Sequence, residues 1–293
     1  MRYGLYPGCS ASGTGIEYGM STKAVARRLG IELVEIPDWN CCGASSAHNR
    51  DHLLSIALPA RNLALAEQAG LTDIAIPCAA CYQRMKASEQ AVADEAERRD
   101  VAEVIEMEIK GTVKARALLE VFANDLDAET IERAVVKPLK GLKVACYYGC
   151  LLVKPAALAI DSPENPMMMD RLIAALGATP VDWPYKTECC GGSLAITRPY
   201  AAVAMTAQVL KYAKLAGADC IATPCPLCTS NLDMRQKEAE KVLGMELGLP
   251  IYYFTELMGA AFGLPAEELG INRHFTEATA LIKKPTAPAP AER

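Results

Sequence analysis

The chain has 293 residues, 51% of them apolar, and a formal net charge of −5. That length suits one large domain or two of ordinary size, with apolar surface enough for a sizeable core. The negative balance speaks against nucleic acid as a partner. No apolar run reaches transmembrane length, and the N-terminal MRYGLYPGCS lacks the apolar core of a signal peptide, so a cytoplasmic protein without direct membrane insertion is expected.

In chain order, a short run of β-formers, YGLY, leads to Cys9, and a helical stretch, STKAVARRLG, follows. The run LVEI leads to Cys41 and Cys42, then the long helical DHLLSIALPARNLALAEQAG. IAI leads to Cys78 and Cys81 in a Pro-Cys-x-x-Cys motif, followed by AACYQRMKASEQAVADEAERR. A further strand and helix fall around IEMEIKGTVKARALLEVF, and residues 124–140 form a charged connector. The whole grammar then recurs. KVACYY leads to Cys150 and the helical NPMMMDRLIAALG; PVDW leads to Cys189 and Cys190 and RPYAAVAMTAQVLKYAKLAG. CIAT leads to Cys225 and Cys228 and LCTSNLDMRQKEAEKVLG, and IYYFTELMGAAFG closes the copy.

The spacings match as well as the order. There are 31 residues between Cys9 and Cys41 and 38 between Cys150 and Cys189; 35 between Cys42 and Cys78 and 34 between Cys190 and Cys225. Internal repetition on this scale marks a duplicated unit. Strands alternating with helices imply parallel βαβ units, and several helices end on glycine, a C-cap signal. The expected fold is therefore α/β, two tandem Rossmann-like repeats with parallel sheets related by a pseudo-twofold axis. Residues 1–123 form the first domain and 124–140 the connector. Residues 141–271 form the second domain, and 272–293, Pro/Ala-rich toward the end, form a flexible tail.

All ten repeat cysteines fall at strand-to-helix junctions, where open α/β sheets build their sites. Helix N-termini there stabilise thiolates, and Gly43, Gly191 and Gly192 let backbone approach a bulky group. Disulfides are disfavoured in a reducing compartment, so this cysteine pattern points to metal or redox chemistry. Three readings stand. One is a set of buried structural cysteines. A second is structural zinc, which takes four thiolates and is overfilled by five. The third is an iron–sulfur cluster, whose several irons let adjacent thiolates reach different metals, although the spacing is not that of a ferredoxin. Cys146 and Cys220 have no counterpart in the other copy and read as core.

The pattern C-x(31–38)-C-C-G-x(34–35)-C-x-x-C, present twice, resembles the tandem cysteine-rich CCG domains of the B-subunit family of heterodisulfide reductases, over about residues 1–262. The resemblance implies two noncubane [4Fe–4S] clusters, one on Cys9, Cys41, Cys42, Cys78 and Cys81, the other on Cys150, Cys189, Cys190, Cys225 and Cys228. It implies a catalytic subunit of a heterodisulfide reductase-like complex. A disulfide such as CoM-S-S-CoB would be reductively cleaved between the two clusters, each taking one sulfur. Electrons would come from a C subunit with ferredoxin-type clusters and, through it, a flavin-containing A subunit. An alternative within the resemblance is an electron-relay or sulfur-oxidation subunit acting on protein-bound lipoate or persulfide. Among the other residues, His48 and His52 share a helix face and offer a substrate or proton-donor role. Arg50, Lys154 and Arg198 follow cluster cysteines and could meet acidic substrate groups. The methionines of PMMM (166–169) read as core filler, and Lys114 and Arg116 belong to no coherent basic patch.

Overall fold

Two four-stranded sheets, each entirely parallel, form the frame. The computed structural model describes residues 1–283 except Ser45 and Ser46; the Ser12 and His48 side chains and residues 284–293 lie outside the described set. The first sheet has the order β2–β1–β3–β4, from β1 (Arg2–Leu5), β2 (Glu32–Glu35), β3 (Asp73–Ile76) and β4 (Lys114–Ala117). The second has the order β6–β5–β7–β8, from β5 (Lys143–Cys146), β6 (Thr179–Pro180), β7 (Cys220–Thr223) and β8 (Ile251–Tyr253). The orders are identical once the copies are aligned, as two Rossmann-like repeats require. Strand order reverses between β1 and β3, and again between β5 and β7. Loops leaving the ends of such neighbouring strands diverge to opposite faces and open a crevice.

The central strands read as continuous apolar runs because helices cover both faces. All four residues of β7 are buried, and Ile74, Ala75 and Ile76 of β3 are buried too. Cys146 and Cys220 are fully buried on β5 and β7. Met168 and Met169 are core and Met167 is exposed. Arg116 is occupied by Glu120 and Asp125, and Lys114 by Glu89.

The copies meet reciprocally. Helix Ile16–Arg28, the first of copy one, packs on helix Phe254–Ala261, the last of copy two; helix Leu118–Asn124, the last of copy one, packs on Met168–Ala175, the first of copy two. A twofold relation between like units produces such exchanged pairs. Tyr18 and Tyr253 stack across the junction with ring centroids 4.1 Å apart, and Phe122 meets Phe254 edge-on at 6.0 Å. The Ser21 and Thr255 hydroxyls are hydrogen-bonded at 2.7 Å. Burying several aromatic rings in one seam contributes more than the polar bonds there.

The connector is structured: it carries helix Ala128–Ala134, and the N–H groups of Val136 and Lys137 donate to the Ala261 carbonyl at 2.9 and 2.8 Å. The tail differs from expectation: it is docked, not free, as far as Lys283. Asp233 accepts from the N–H groups of Phe275 and Thr276 at 2.7 and 2.9 Å, and Ala278 is buried. His274 Nε2 lies 2.8 Å from Glu256 Oε1, and its Nδ1 lies 3.8 Å from Asp233 Oδ2. A polar composition hides this docking, because the anchors are one histidine and backbone groups rather than an apolar stripe.

Burial alone would lower the His274 pKa, but the facing Glu256 carboxylate, with Asp233 and Glu17, outweighs burial and raises it. A folded-state pKa above the ordinary value adds stability that is complete below the unfolded pKa and lost as pH rises through the folded one. The stability advantage of wild type over His274→Gln is therefore expected to be largest near about pH 6, below the ordinary histidine pKa, and to shrink as pH rises into the alkaline range. Paired thermal melts across that range check it; an advantage that grows with pH would contradict it.

Candidate functional site

Each cysteine set is assembled by three loops at the carboxyl edge of its sheet. Cys9 opens a 3-10 turn, Cys9–Ser12, after β1; Cys41 and Cys42 lie in the loop after β2. Cys78 is the N-cap of helix Ala79–Ala91, and Cys81 sits in its first turn. In copy two, Cys225 is the N-cap of helix Pro226–Met234, with Cys228 in the first turn, and Cys189 and Cys190 precede the 3-10 turn Gly192–Leu194. Pro-Cys-x-x-Cys thus sets one thiol on the cap and one a turn inside, both near unpaired helical N–H groups.

The same sulfur contacts occur twice. Cys42 Sγ lies 3.1 Å from Cys81 Sγ, and Cys190 Sγ lies 3.6 Å from Cys228 Sγ. Cys9 lies beside Cys41, and Cys150 beside Cys189, each near enough to perturb the other's thiol. Cys78 touches Cys81, and Cys225 touches Cys228. All five expected members therefore come together in each copy. The two sets also approach each other: the Cys78 and Cys225 thiols are near enough across the junction to shift one another's protonation. Cys9 and Cys41 are exposed, Cys150 and Cys189 half-buried, and the other six buried.

Bundling decides the protonation. The Cys150 thiol holds Cys189 down to about 6, helped by the Gly191 N–H, which donates at 3.3 Å. The Cys81 thiol holds Cys42 down to about 7. Cys190 is lowered by the Cys228 thiol and the Gly192 N–H. Their partners Cys81, Cys228 and Cys150 are pushed up, each first by the hydrogen bond it gives. In each set at least one thiol is thereby held toward thiolate, the ligating form. Among the described residues, no three or more His, Cys, Asp and Glu side chains are disposed to hold one metal ion. Sulfurs strung out in touching pairs do not fit one tetrahedral zinc. An all-thiolate donor set, mostly buried and supplied with N–H donors to sulfur, fits a multi-iron cluster.

The glycine of each Cys-Cys-Gly has a steric cause. Gly43 has φ +71° and Gly191 φ +81°, left-handed conformations that other residues rarely adopt. A Cβ on Gly43 would lie 2.8 Å from Ala47 Cβ, and one on Gly191 would lie 2.9 Å from Ala202 Cα. The loop must turn sharply against the next helix so that both thiols face the sheet edge. Gly191→Ala is expected to cost about 2–4 kcal/mol and to displace Cys189 and Cys190. Denaturant melts and metal content check this; a variant as stable as wild type would refute it.

A tyrosine stands at the centre of each set, and sequence reasoning assigned it no role. The Tyr6 hydroxyl donates to the Asn40 carbonyl at 2.9 Å, and the Tyr147 hydroxyl to the Glu188 carbonyl at 2.6 Å. Each bond holds the residue just before a Cys-Cys pair. Both phenols are raised by burial and then by surrounding sulfurs, Cys81 and Cys42 for Tyr6, Cys228 and Cys190 for Tyr147. The chain's two tryptophans pack on them: Trp39 on Tyr6 at 5.5 Å and Trp183 on Tyr147 at 6.1 Å. The signal was there to read, since both tyrosines precede Gly-Cys by one residue in the repeated first block.

Of the remaining candidates, Arg50 is exposed in a pocket of about 720 Å³ beside Cys41, shared with Leu54 and Leu58. His52, Lys154 and Arg198 are exposed. Among the described residues, no helix is long and apolar enough to cross a membrane.

A family model described as a cysteine-rich domain, CCG, matches residues 3–86 and 144–233. A Wolinella succinogenes protein named 8-methylmenaquinol:fumarate reductase membrane anchor subunit is 36% identical over 284 residues, spanning 96% of this chain and 99% of that protein. A Methanosarcina acetivorans protein, named as the B subunit of a Ferredoxin/F(420)H(2)-dependent CoB-CoM heterodisulfide reductase, is 30% identical over 293 residues, spanning 97% of this chain and 96% of that one. A crystal structure of a hypothetical protein from Helicobacter pylori shares the fold, with a TM-score of 0.76 at 13% identity; it aligns with 95% of this chain, which spans about half (52%) of that one. With the CCG domain matched twice in tandem and similarity to these relatives running nearly end to end, the chain belongs to the cysteine-rich CCG-domain family that includes the B subunits of heterodisulfide reductases.

Proposed function

We propose that the ten cysteines ligate two iron–sulfur clusters, five to a copy, and that the chain is a redox subunit of a larger complex. The observation that carries this is the sulfur contact repeated in both copies, Cys42 with Cys81 and Cys190 with Cys228. When bound, the clusters, which we take to be noncubane [4Fe–4S], would supply the electrons and the thiophilic metal for cleaving a disulfide. The chain's own part is to hold thiolates at the loop ends, keep water from the six buried sulfurs, and fix both Cys-Cys loops through Tyr6 and Tyr147. Arg50, beside exposed Cys41, suits an acidic group on the substrate. The relatives named as B subunits of CoB-CoM heterodisulfide reductases support a disulfide as substrate; on this reading electrons would come from a ferredoxin-type C subunit and, through it, a flavin-containing A subunit. Anaerobic purification followed by iron, sulfide and zinc analysis tests the metal. About eight irons per chain are expected if each copy holds a four-iron cluster; zinc with little iron would refute the reading.

A second reading is favoured by the Wolinella succinogenes relative, which is more similar than the heterodisulfide reductase relatives and has a quinol in its name. In it the same sites relay electrons from a quinol to a partner protein. The proximity of the two sets at Cys78 and Cys225 suits a relay. Viologen-driven disulfide reduction and oxidation of a water-soluble quinol, measured on one preparation, separate the two.

A further inference from the structure

Two buried polar side chains in copy two converge on one backbone atom. Asn231 Nδ2 donates to the Cys190 carbonyl at 2.7 Å and to Thr206 Oγ1 at 2.8 Å, and the Thr206 hydroxyl donates to the same carbonyl at 3.1 Å. The ring is closed, with each side-chain hydrogen used once. Arg235 secures it from outside: its Nε donates to Asn231 Oδ1 at 2.9 Å and its Nη2 to the Ala195 carbonyl at 3.0 Å. Thr206 is fully buried, and Asn231 is 5% exposed. Burying such groups costs stability unless each is bonded, and apolar residues of similar shape avoid that cost.

The fold does not require them. Aligning the two Pro-Cys-x-x-Cys motifs places Arg84 where Asn231 stands and Ser88 where Arg235 stands; aligning the helix ends at Ala-Gly, 69–70 and 216–217, places Pro59 where Thr206 stands. Copy one builds the same strand order without this ring. Pro59 has no hydroxyl, the Arg84 guanidinium is bonded to Gln83, and the Ser88 hydroxyl donates to the Ile56 carbonyl. There the side-chain grip falls on the Asn40 carbonyl, ahead of the cysteine pair, from Tyr6 at 2.9 Å and Asn62 at 3.1 Å. Copy two has a grip at the equivalent place, Tyr147 on Glu188, and adds a second on Cys190 itself.

The peptide plane converts that second grip into a contact with sulfur. The Cys190–Gly191 peptide is trans, so its carbonyl and its N–H point in opposite directions. Turning the Cys190 carbonyl toward Asn231 and Thr206 aims the Gly191 N–H the other way, at Cys189 Sγ, 3.3 Å off. The corresponding Gly43 N–H lies 3.5 Å from Cys41 Sγ. An N–H aimed at a cluster sulfur favours the reduced, more negative state and so raises the reduction potential. We propose that Asn231 and Thr206 are positioning residues of the second cysteine set, fixing the Cys190–Gly191 peptide so that its N–H bonds the Cys189 sulfur and makes the second site easier to reduce. The two halves of the duplicated site are thereby inequivalent. The proposal rests on the cluster reading above and deepens it.

The test uses full-length wild type, Thr206→Val, Asn231→Leu and Thr206→Ser, purified anaerobically, counted for iron and titrated with reductant under EPR detection. Thr206→Val removes the hydroxyl at constant shape, and Thr206→Ser keeps it. Iron content is expected to be unchanged in all four. In Thr206→Val and Asn231→Leu one of two cluster signals should shift, its midpoint lowered by about 59 mV, a tenfold change in a one-electron equilibrium. The other signal should stay in place, and Thr206→Ser should match the wild type. Unmoved midpoints in both Thr206→Val and Asn231→Leu, or equal shifts of both signals, overturn the proposal and leave the cluster reading standing. Iron-free wild type sinks the cluster reading instead, and positioning is then read on the sulfurs themselves. Held 3.6 Å apart, Cys190 and Cys228 should close to a disulfide under diamide, mapped by peptide mass spectrometry. Closure should be about tenfold faster in wild type and Thr206→Ser than in the other two variants; equal rates overturn the proposal.

Discussion

Cys42→Ala and Cys190→Ala are each expected to reduce bound iron by about half and to cut viologen-driven disulfide reduction at least about a hundredfold. Each cysteine is buried in its set and touches the partner one helical turn inside Pro-Cys-x-x-Cys, Cys81 or Cys228. A disulfide has two sulfurs, and a duplicated site holding one each loses the whole reaction when either half is lost. Holding both halves near their acceptors supplies what a protein acid–base triad supplies elsewhere. A relay with a single catalytic end behaves differently: the variant lacking the distal set still turns over slowly with a small-molecule donor. Substantial residual disulfide reduction in either variant would therefore reject the two-site mechanism and favour the quinol-linked relay. Cys146→Ala and Cys220→Ala, on the strands rather than the loops, are expected to leave iron content intact.

Lys186→Met is expected to be among the most destabilising single changes in copy two. Lys186 Nζ lies 2.8 Å from Asp170 Oδ1, with side chains 6% and 4% exposed. Asp170 also accepts from the Tyr148 hydroxyl at 2.7 Å. The Lys186 carbonyl accepts the N–H groups of Tyr148 and Gly149 at 2.9 and 3.1 Å, tying the Cys150 loop to the loop before Cys189. Removing the lysine strands a buried carboxylate, which costs about 3–5 kcal/mol, whereas replacing a whole buried pair is often nearly neutral. The double variant Lys186→Met, Asp170→Leu should recover most of the loss. Copy one has Pro7 where copy two has Tyr148, so iron bound by Cys9, Cys41, Cys42, Cys78 and Cys81 should survive. Urea unfolding and iron counts on both variants check this. A single variant within about 1 kcal/mol of wild type would show that the pair contributes little.

Much of the site was legible in the chain because the relevant physics is local. Strand, cysteine and helix follow one another within a βα unit, so the pattern of β-formers, Cys-Cys-Gly and Pro-Cys-x-x-Cys places each thiol at a sheet's carboxyl edge. Repetition of the spacing then assigned five cysteines to each copy. The glycine after each pair announces a left-handed turn, although its clash with Ala47 or Ala202 emerges only once the helices are in place. The tail from 272 was misread because its docking uses His274, Asp233 and backbone N–H groups, none of which leaves an apolar periodicity.

The sequence by itself determined the duplication, the α/β class and the membership of each cysteine set, since those follow from spacing along one chain. Only the tertiary structure decided that the sets come near each other at Cys78 and Cys225, and that Tyr6 and Tyr147 brace the paired cysteines. The physical reason is that periodicity reports which face of an element is apolar but not which other face it meets. The meeting of two copies is settled by packing shape across the Tyr18–Tyr253 seam, and residues hundreds of positions apart leave no joint trace in a single sequence.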